Sequence, residues 1–294
     1  MAIFKGAAVA IITPMKANGD VNFEAFNKII DDQIANGTDA IVVCGSTGEG
    51  STLTEEEHIE VIRYVTEYTK KRVPVIAGTG SNCTRTAIKL SKSAQSCGVD
   101  GLLLVSPYYN KGTQNGIYTH FTEVAKNVDL PILLYNIPGR TGVNIKAETC
   151  AKLFRDVDNI VGIKEATGDT VQIAELMNLT DGQIDLYAGN DDYIVPVLSL
   201  GGIGVISVLS HVAPRDTHDM VMKFLEGDVK TSRDLQIRYL PLIKSLFCEV
   251  NPIPVKAAMN ILGYEAGTLR LPLTDIEPAH AELIRNEMKK MGIL

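Results

Sequence analysis

The sequence has no uninterrupted apolar stretch near the roughly 18 residues a membrane-crossing helix requires, which excludes a helical membrane span. It also lacks a basic excess: 28 Lys and Arg stand against 35 Asp and Glu, a formal charge of −7. Phosphate binding needs a net basic face, so nucleic acid is excluded as a partner and small molecules are expected. Cysteine is sparse, and Cys44, Cys83, Cys97, Cys150 and Cys248 are odd in number with no C-x-x-C pair. Without that spacing, zinc and dithiol chemistry drop out, and buried thiols in a reducing cytoplasm are expected. The histidines, His58, His120, His211, His218 and His280, never fall in H-x-x-x-H or H-E-x-x-H spacing, and no acidic cluster resembles a cation cage. No metal is expected. Gly78-Thr79-Gly80-Ser81-Asn82-Cys83 lacks the third glycine of the dinucleotide fingerprint, so no nicotinamide cofactor is implied. The N-terminus, MAIFKGAAVAIITP, carries no signal-peptide cleavage pattern and reads as a first core strand.

What is present is alternation. Short β-branched runs at residues 7–14, 39–45, 73–80, 101–107, 131–138, 160–166, 185–191 and 204–209 are separated by amphipathic stretches. The first of these stretches places Phe23, Phe26, Ile30 and Ile34 on one helical face, with Asn22 as its cap and Gly37 after it. The second opens with Thr54 and Glu57 in capping-box spacing. The strand candidates are continuous apolar runs, as expected when both faces of a sheet are buried. Eight of them in a chain of 294 residues predict a (β/α)₈ barrel. Helical periodicity over residues 214–226, 231–249, 254–262 and 275–291, with no strand between, predicts a helical C-terminal extension. The expected division is a barrel at 1–226 and a helical domain at 227–294. Gly201-Gly202-Ile203-Gly204 precedes the eighth strand and so reads as a tight turn at the bottom of the barrel.

Barrel chemistry is built at the C-terminal ends of the strands. The second run ends in Gly-Ser-Thr-Gly-Glu-Gly at 45–50, the fourth in Ser106-Pro107-Tyr108-Tyr109-Asn110, and the fifth in Tyr-Asn-Ile-Pro-Gly-Arg-Thr-Gly at 135–142. The sixth contains Lys164. A lysine inside an apolar barrel loses solvation, its pKa falls, and the free amine can attack a carbonyl. The alternative is a strand-end lysine that reaches solvent or pairs with Glu165. Carbinolamine formation and dehydration need proton carriers, and Tyr135 with Ser46 and Thr47 offers hydroxyls for that task. Arg140 has the planar fork that binds a carboxylate through two hydrogen bonds; its plain alternative is a solvated loop charge.

At Gly45-Ser46-Thr47-Gly48-Glu49, Pro107-Tyr108-Tyr109-Asn110, Tyr135-Asn136-Ile137-Pro138 and Gly162-Ile163-Lys164-Glu165, the sequence resembles the dihydrodipicolinate synthase and N-acetylneuraminate lyase superfamily. The likeness covers nearly the whole chain. It implies Lys164 as the Schiff-base lysine, Tyr135 as the proton-transfer phenol, and Ser46 and Thr47 on the carboxylate of the oxo acid. Gly189 and Ile206 would line the pyruvate pocket, Ile206 through its carbonyl. The synthase branch fits best, which implies condensation of pyruvate with L-aspartate 4-semialdehyde on the way to lysine. Arg140 would then bind the second substrate, and Tyr109 would enter a neighbouring subunit's site to complete a relay with Ser46 and Tyr135. The resemblance further implies a homotetramer, a dimer of dimers; a cytoplasmic location and no cofactor are the expectations from the cysteine usage and the missing motifs above. Ser46 stands where synthases usually have threonine, and serine is also typical of the lyases, so a sugar-acid aldolase is the alternative activity. A barrel that binds oxo acids without catalysis is the alternative from another class. Ser51, His58, Asn82 and Tyr108 match an effector site of lysine-sensitive synthases, whereas Glu55 and Thr86 replace its usual histidine and glutamate.

Overall fold

A computed structural model of the protein describes residues 2–294. Eight parallel strands close into a barrel in chain order: β1 Gly6–Ala10, β2 Ala40–Val43, β3 Val75–Gly78, β4 Gly101–Val105, β5 Ile132–Asn136, β6 Ile160–Glu165, β7 Asp185–Ala188 and β8 Gly204–Ser207. β8 pairs with both β7 and β1, which removes the exposed edges of an open sheet. The expected (β/α)₈ barrel with a C-terminal helical part is what forms. The expected strands are longer than the observed ones, mostly at their C-terminal ends: β1 stops at Ala10, yet Ile11 and Ile12 beyond it stay fully buried. Apolar patterning reports burial, whereas the hydrogen-bonded ladder ends where neighbouring strands turn away into their loops.

Side-chain alternation divides the apolar residues into two layers. Ala7, Val9, Ile41, Val43, Leu102, Leu104, Ile132, Leu134, Ile163, Leu186 and Val205 face the surrounding helices. Ala8, Ala10, Ala40, Val42, Leu103, Leu133, Tyr135, Tyr187 and Ile206 fill the interior. That interior is lopsided. On β1 and β2 it presents mostly alanine, whereas β5 and β7 contribute Leu133, Tyr135 and Tyr187.

The capping box at Thr54 is present in both directions, Glu57 N donating to Thr54 Oγ1 at 3.2 Å and Thr54 N donating to Glu57 Oε2 at 2.9 Å. Asn22 occupies the expected cap position of the helix Phe23–Ala35, but its side chain makes no capping hydrogen bond. The cysteines also depart from expectation. Cys44 and Cys150 are buried, Cys97 and Cys248 are half-buried, and Cys83 is exposed. Cys83 precedes the helix Thr84–Ser96 in a loop outside both apolar layers. After β8 come the helices Pro214–Leu225, Val229–Ser245, Ile253–Ile261 and Pro278–Met291. Val229–Ser245 packs against both Pro214–Leu225 and Pro278–Met291. No helix among the described residues is long and apolar enough to cross a membrane.

Candidate active site

Parallel pairing sets Tyr135 of β5 beside Lys164 of β6, and Lys164 beside Tyr187 of β7. Register partners share a face, so all three point into the barrel. Space for the Tyr187 ring comes from its register partner on the next strand: a Cβ on Gly204 of β8 would lie 3.0 Å from that ring and 2.5 Å from the Gly6 carbonyl oxygen. Glu165, one residue on, faces the other way, where its carboxylate accepts from Asn136 Nδ2 at 3.1 Å and from the Thr167 amide at 2.8 Å. Pairing of Lys164 with Glu165 is therefore ruled out by strand geometry. Lys164 is 7% exposed, so it does not reach solvent either.

The Lys164 ammonium position lies 4.4 Å from the centroid of the Tyr135 ring. Among the described residues it has no hydrogen-bond partner; the only charges that act on it are Asp191 and Arg140. Burial lowers its pKa to about 8, Asp191 pulls it back up, and Arg140 lowers it further. The Tyr135 phenol is pushed up to about 12 by burial, with Arg140 and the Ser46 hydroxyl acting in the opposite direction. At neutral pH the phenol is thus a proton donor, and the amine is a base that loses its proton readily. Such a pair can protonate a carbonyl oxygen while nitrogen attacks its carbon.

A cavity of about 430 Å³ opens above this pair, lined by Ser46, Tyr108, Tyr135, Arg140, Thr141 and Asn251 among others. Lys164 is not in its lining; the Tyr135 ring lies beside the amine. Thr47 is buried, and its hydroxyl accepts a hydrogen bond from Asn251 Nδ2 at 2.9 Å. Arg140 sits on the short helix Pro138–Thr141, where its Nη2 donates to the Asn251 carbonyl at 2.9 Å. Gly189 follows β7, its amide donating to the Glu165 carbonyl at 2.7 Å, and Ile206 is buried in the inner layer with Tyr135. Tyr109 is not brought to its own chain's cavity: it is 88% exposed with φ +72°. Ser51, Glu55, His58, Thr86 and Tyr108 line the same cavity, whereas Asn82 does not.

The loop bearing Ser46 and Thr47 is folded back on itself. A Cβ on Gly50 would come 2.4 Å from the Cys44 carbonyl oxygen, and both Cys44 (φ +56°) and Glu49 (φ +53°) adopt the left-handed backbone that side chains disfavour. The C-terminal segment holds this shape. Lys256 Nζ donates to Glu49 Oε1 at 2.8 Å and to the Thr268 carbonyl at 2.5 Å, and the Arg270 amide donates to Glu49 Oε2 at 3.1 Å. Arg270 also grips Glu57 with both terminal guanidinium nitrogens, at 2.7 and 2.6 Å.

A family model described as the dihydrodipicolinate synthetase family matches residues 3–291. The chain belongs to this family. It is accordingly a lyase-type enzyme. It is 62% identical over 294 residues to a 4-hydroxy-tetrahydrodipicolinate synthase of Lachnoclostridium phytofermentans, covering 100% of both chains. Among solved structures it resembles the dihydrodipicolinate synthase of Thermotoga maritima, with 42% identity, a TM-score of 0.97 and full coverage of both chains. It also resembles the chloride-inhibited enzyme of Acinetobacter baumannii complexed with pyruvate, with 42% identity, a TM-score of 0.96 and 99% coverage of each chain.

Three members of the site escaped sequence reasoning. Asp191 closes the seventh apolar run, so attention to every strand end would have found it; its Oδ2 accepts from the Val208 and Leu209 amides at 3.0 and 2.8 Å, and Oδ1 is buried without a partner. Asn251 and Lys256 lie far along the chain in the helical extension, where no local pattern marks them as neighbours of residues 45–50.

Proposed function

We propose that the protein condenses pyruvate with L-aspartate 4-semialdehyde, as a step toward lysine by the diaminopimelate route. The observation that carries this reading is Lys164: a buried amine with no hydrogen-bond partner among the described residues, against the ring of a buried phenol. In this reading Lys164 Nζ attacks C2 of pyruvate, and the carbinolamine loses water to give an imine. Loss of a C3 proton gives an enamine, whose carbon adds to the aldehyde; attack by the substrate's own amine on the imine carbon then frees the lysine. The imine is the electron sink. Tyr135, Ser46 and a neighbouring subunit's Tyr109 pass the protons, Ser46 and Thr47 hold the pyruvate carboxylate, and Gly189 and the Ile206 carbonyl line that pocket. Arg140 binds the carboxylate of the semialdehyde. Completion of the relay by Tyr109 makes a dimer the minimum unit and a tetramer of two dimers the expected assembly, with residues 1–226 as the catalytic barrel and 227–294 as the helical domain.

Borohydride reduction in the presence of pyruvate tests the chemistry. The expected result is a reduced pyruvyl adduct on Lys164 in the peptide mass map, and an unmodified lysine would overturn the Schiff-base reading. Steady-state assays with pyruvate plus either the semialdehyde or N-acetylmannosamine test the second substrate, and preference for the sugar would make the protein a sugar-acid aldolase.

A further inference from the structure

Asn251 lies in the turn between the helices Val229–Ser245 and Ile253–Ile261, yet it touches two of the three residues assigned above to anion binding, Thr47 and Arg140. Its side-chain Nδ2 donates to Thr47 Oγ1 at 2.9 Å, and its main-chain carbonyl accepts from Arg140 Nη2 at 2.9 Å. The residue is buried and lines the cavity, and its Oδ1 has no hydrogen-bond partner. A threonine hydroxyl has one proton and two lone pairs. Among the described residues, Thr47 Oγ1 accepts from Asn251 and donates to nothing. With that amide on one lone pair, the hydroxyl's proton is left for another acceptor. A carboxylate oxygen is such an acceptor.

We propose that Asn251 is a positioning residue that keeps Thr47 as a hydrogen-bond donor toward the oxo-acid carboxylate, while its backbone carbonyl sets the place of Arg140. This rests on the pyruvate reading above and deepens it. The two anchoring points differ in chemistry, and that makes them separable: substitution removes the amide but keeps the carbonyl. Loss of the side chain falls on pyruvate and spares the semialdehyde.

The test compares Asn251→Ala and Asn251→Asp with the wild-type enzyme, reading the pyruvate concentration for half-maximal borohydride trapping and the KM of each substrate. Asn251→Ala leaves Thr47 free to turn away, and a rise of about 10-fold on the pyruvate side is expected from one lost hydrogen bond to a charged ligand's partner. Asn251→Asp keeps shape and volume but offers only acceptors, so the Thr47 proton turns toward it and a like charge faces the substrate; a rise of about 100-fold is expected. In Asn251→Ala the semialdehyde KM stays within about 3-fold, whereas the new carboxylate of Asn251→Asp, beside Arg140, raises it too but less than the pyruvate side. In a Thr47→Val background, Asn251→Ala should add less than about 2-fold, because its route of action is already gone. Thermal unfolding identifies any variant that fails to fold, and the isosteric Asn251→Asp preserves the test if Asn251→Ala does. Equal losses for both substrates, or losses that simply add in the double variant, would overturn the proposal. A wild-type enzyme that takes up no pyruvate label would overturn the Schiff-base reading and this inference with it.

Discussion

The chain buries two lysines, and they are held in opposite ways. Lys256 is fully buried but saturated, with Glu49 Oε1 at 2.8 Å and the Thr268 carbonyl at 2.5 Å. Burial lowers its pKa while Glu49 pushes it back up. Lys164 is buried to nearly the same degree but meets an aromatic ring in place of a carboxylate, and its pKa falls to about 8. Burial by itself does not make a lysine reactive. A counter-ion in hydrogen-bond contact ties up the lone pair as a bound proton and turns the residue into a brace, and its absence leaves an amine available to a carbonyl.

Replacement of each lysine by methionine is the sharpest way to separate the two. Lys164→Met should abolish pyruvate trapping and lower turnover by roughly 10⁴-fold or more, since it removes the nucleophile itself. It should also stabilise the fold. A pKa of about 8 against an ordinary 10.5 corresponds to about 3 kcal/mol of penalty for the charged form. The unfolded state binds the extra proton, so this penalty is complete below about pH 8 and fades as pH rises toward 10.5. Denaturant unfolding of both proteins at pH 7 and pH 10 reads it out, and a stability difference that grew with pH would contradict the assignment. Tyr135→Phe comes next, with a loss of about 10²- to 10³-fold in the rate of imine formation, as for removal of a general acid. Stopped-flow trapping measures it.

Lys256→Met should act in reverse, retaining trapping on Lys164 but costing about 3–5 kcal/mol of stability, because Glu49 is left as an uncompensated buried charge. Adding Glu49→Gln should restore much of that loss in urea titrations; no recovery would mean the pair is not the source. The smallest effect belongs to Asp191→Asn. Asp191 raises the Lys164 pKa, so its neutralisation should move the midpoint of the pH–rate profile for imine formation below about 8, with the plateau still on the alkaline side. A midpoint that moved upward would show that Asp191 acts through the Val208 and Leu209 amides it accepts from and not through its charge.

The contrast also explains what was legible in the sequence. Eight apolar runs and the spacing between them were enough for the barrel, because strand and helix periodicities are local properties. Lys164, Tyr135 and Ser46 were visible because each stands at or near the C-terminal end of an apolar run, where a polar residue is conspicuous. Orientation was harder: Lys164 and Glu165 are adjacent in sequence, and only the strand register decides which one faces inward. The braces were not legible at all. Lys256, Asn251 and Arg270 lie more than 200 residues from their partners Glu49, Thr47 and Glu57. A buried Lys256 looks, in sequence, like any solvated helix lysine, and only tertiary contact reveals its partner. Tyr109 marks another boundary, since its exposed side chain has no role visible within one chain.

The lopsided interior has an evolutionary corollary. Ala8, Ala10 and Ala40 on one wall, with Gly204 on β8, are already near the smallest residues a strand can carry, so trimming them gains almost no room. A descendant enlarging its repertoire toward bulkier oxo acids has to reshape the loops at the rim, leaving the staves of the barrel, and the lysine mounted on them, as inherited.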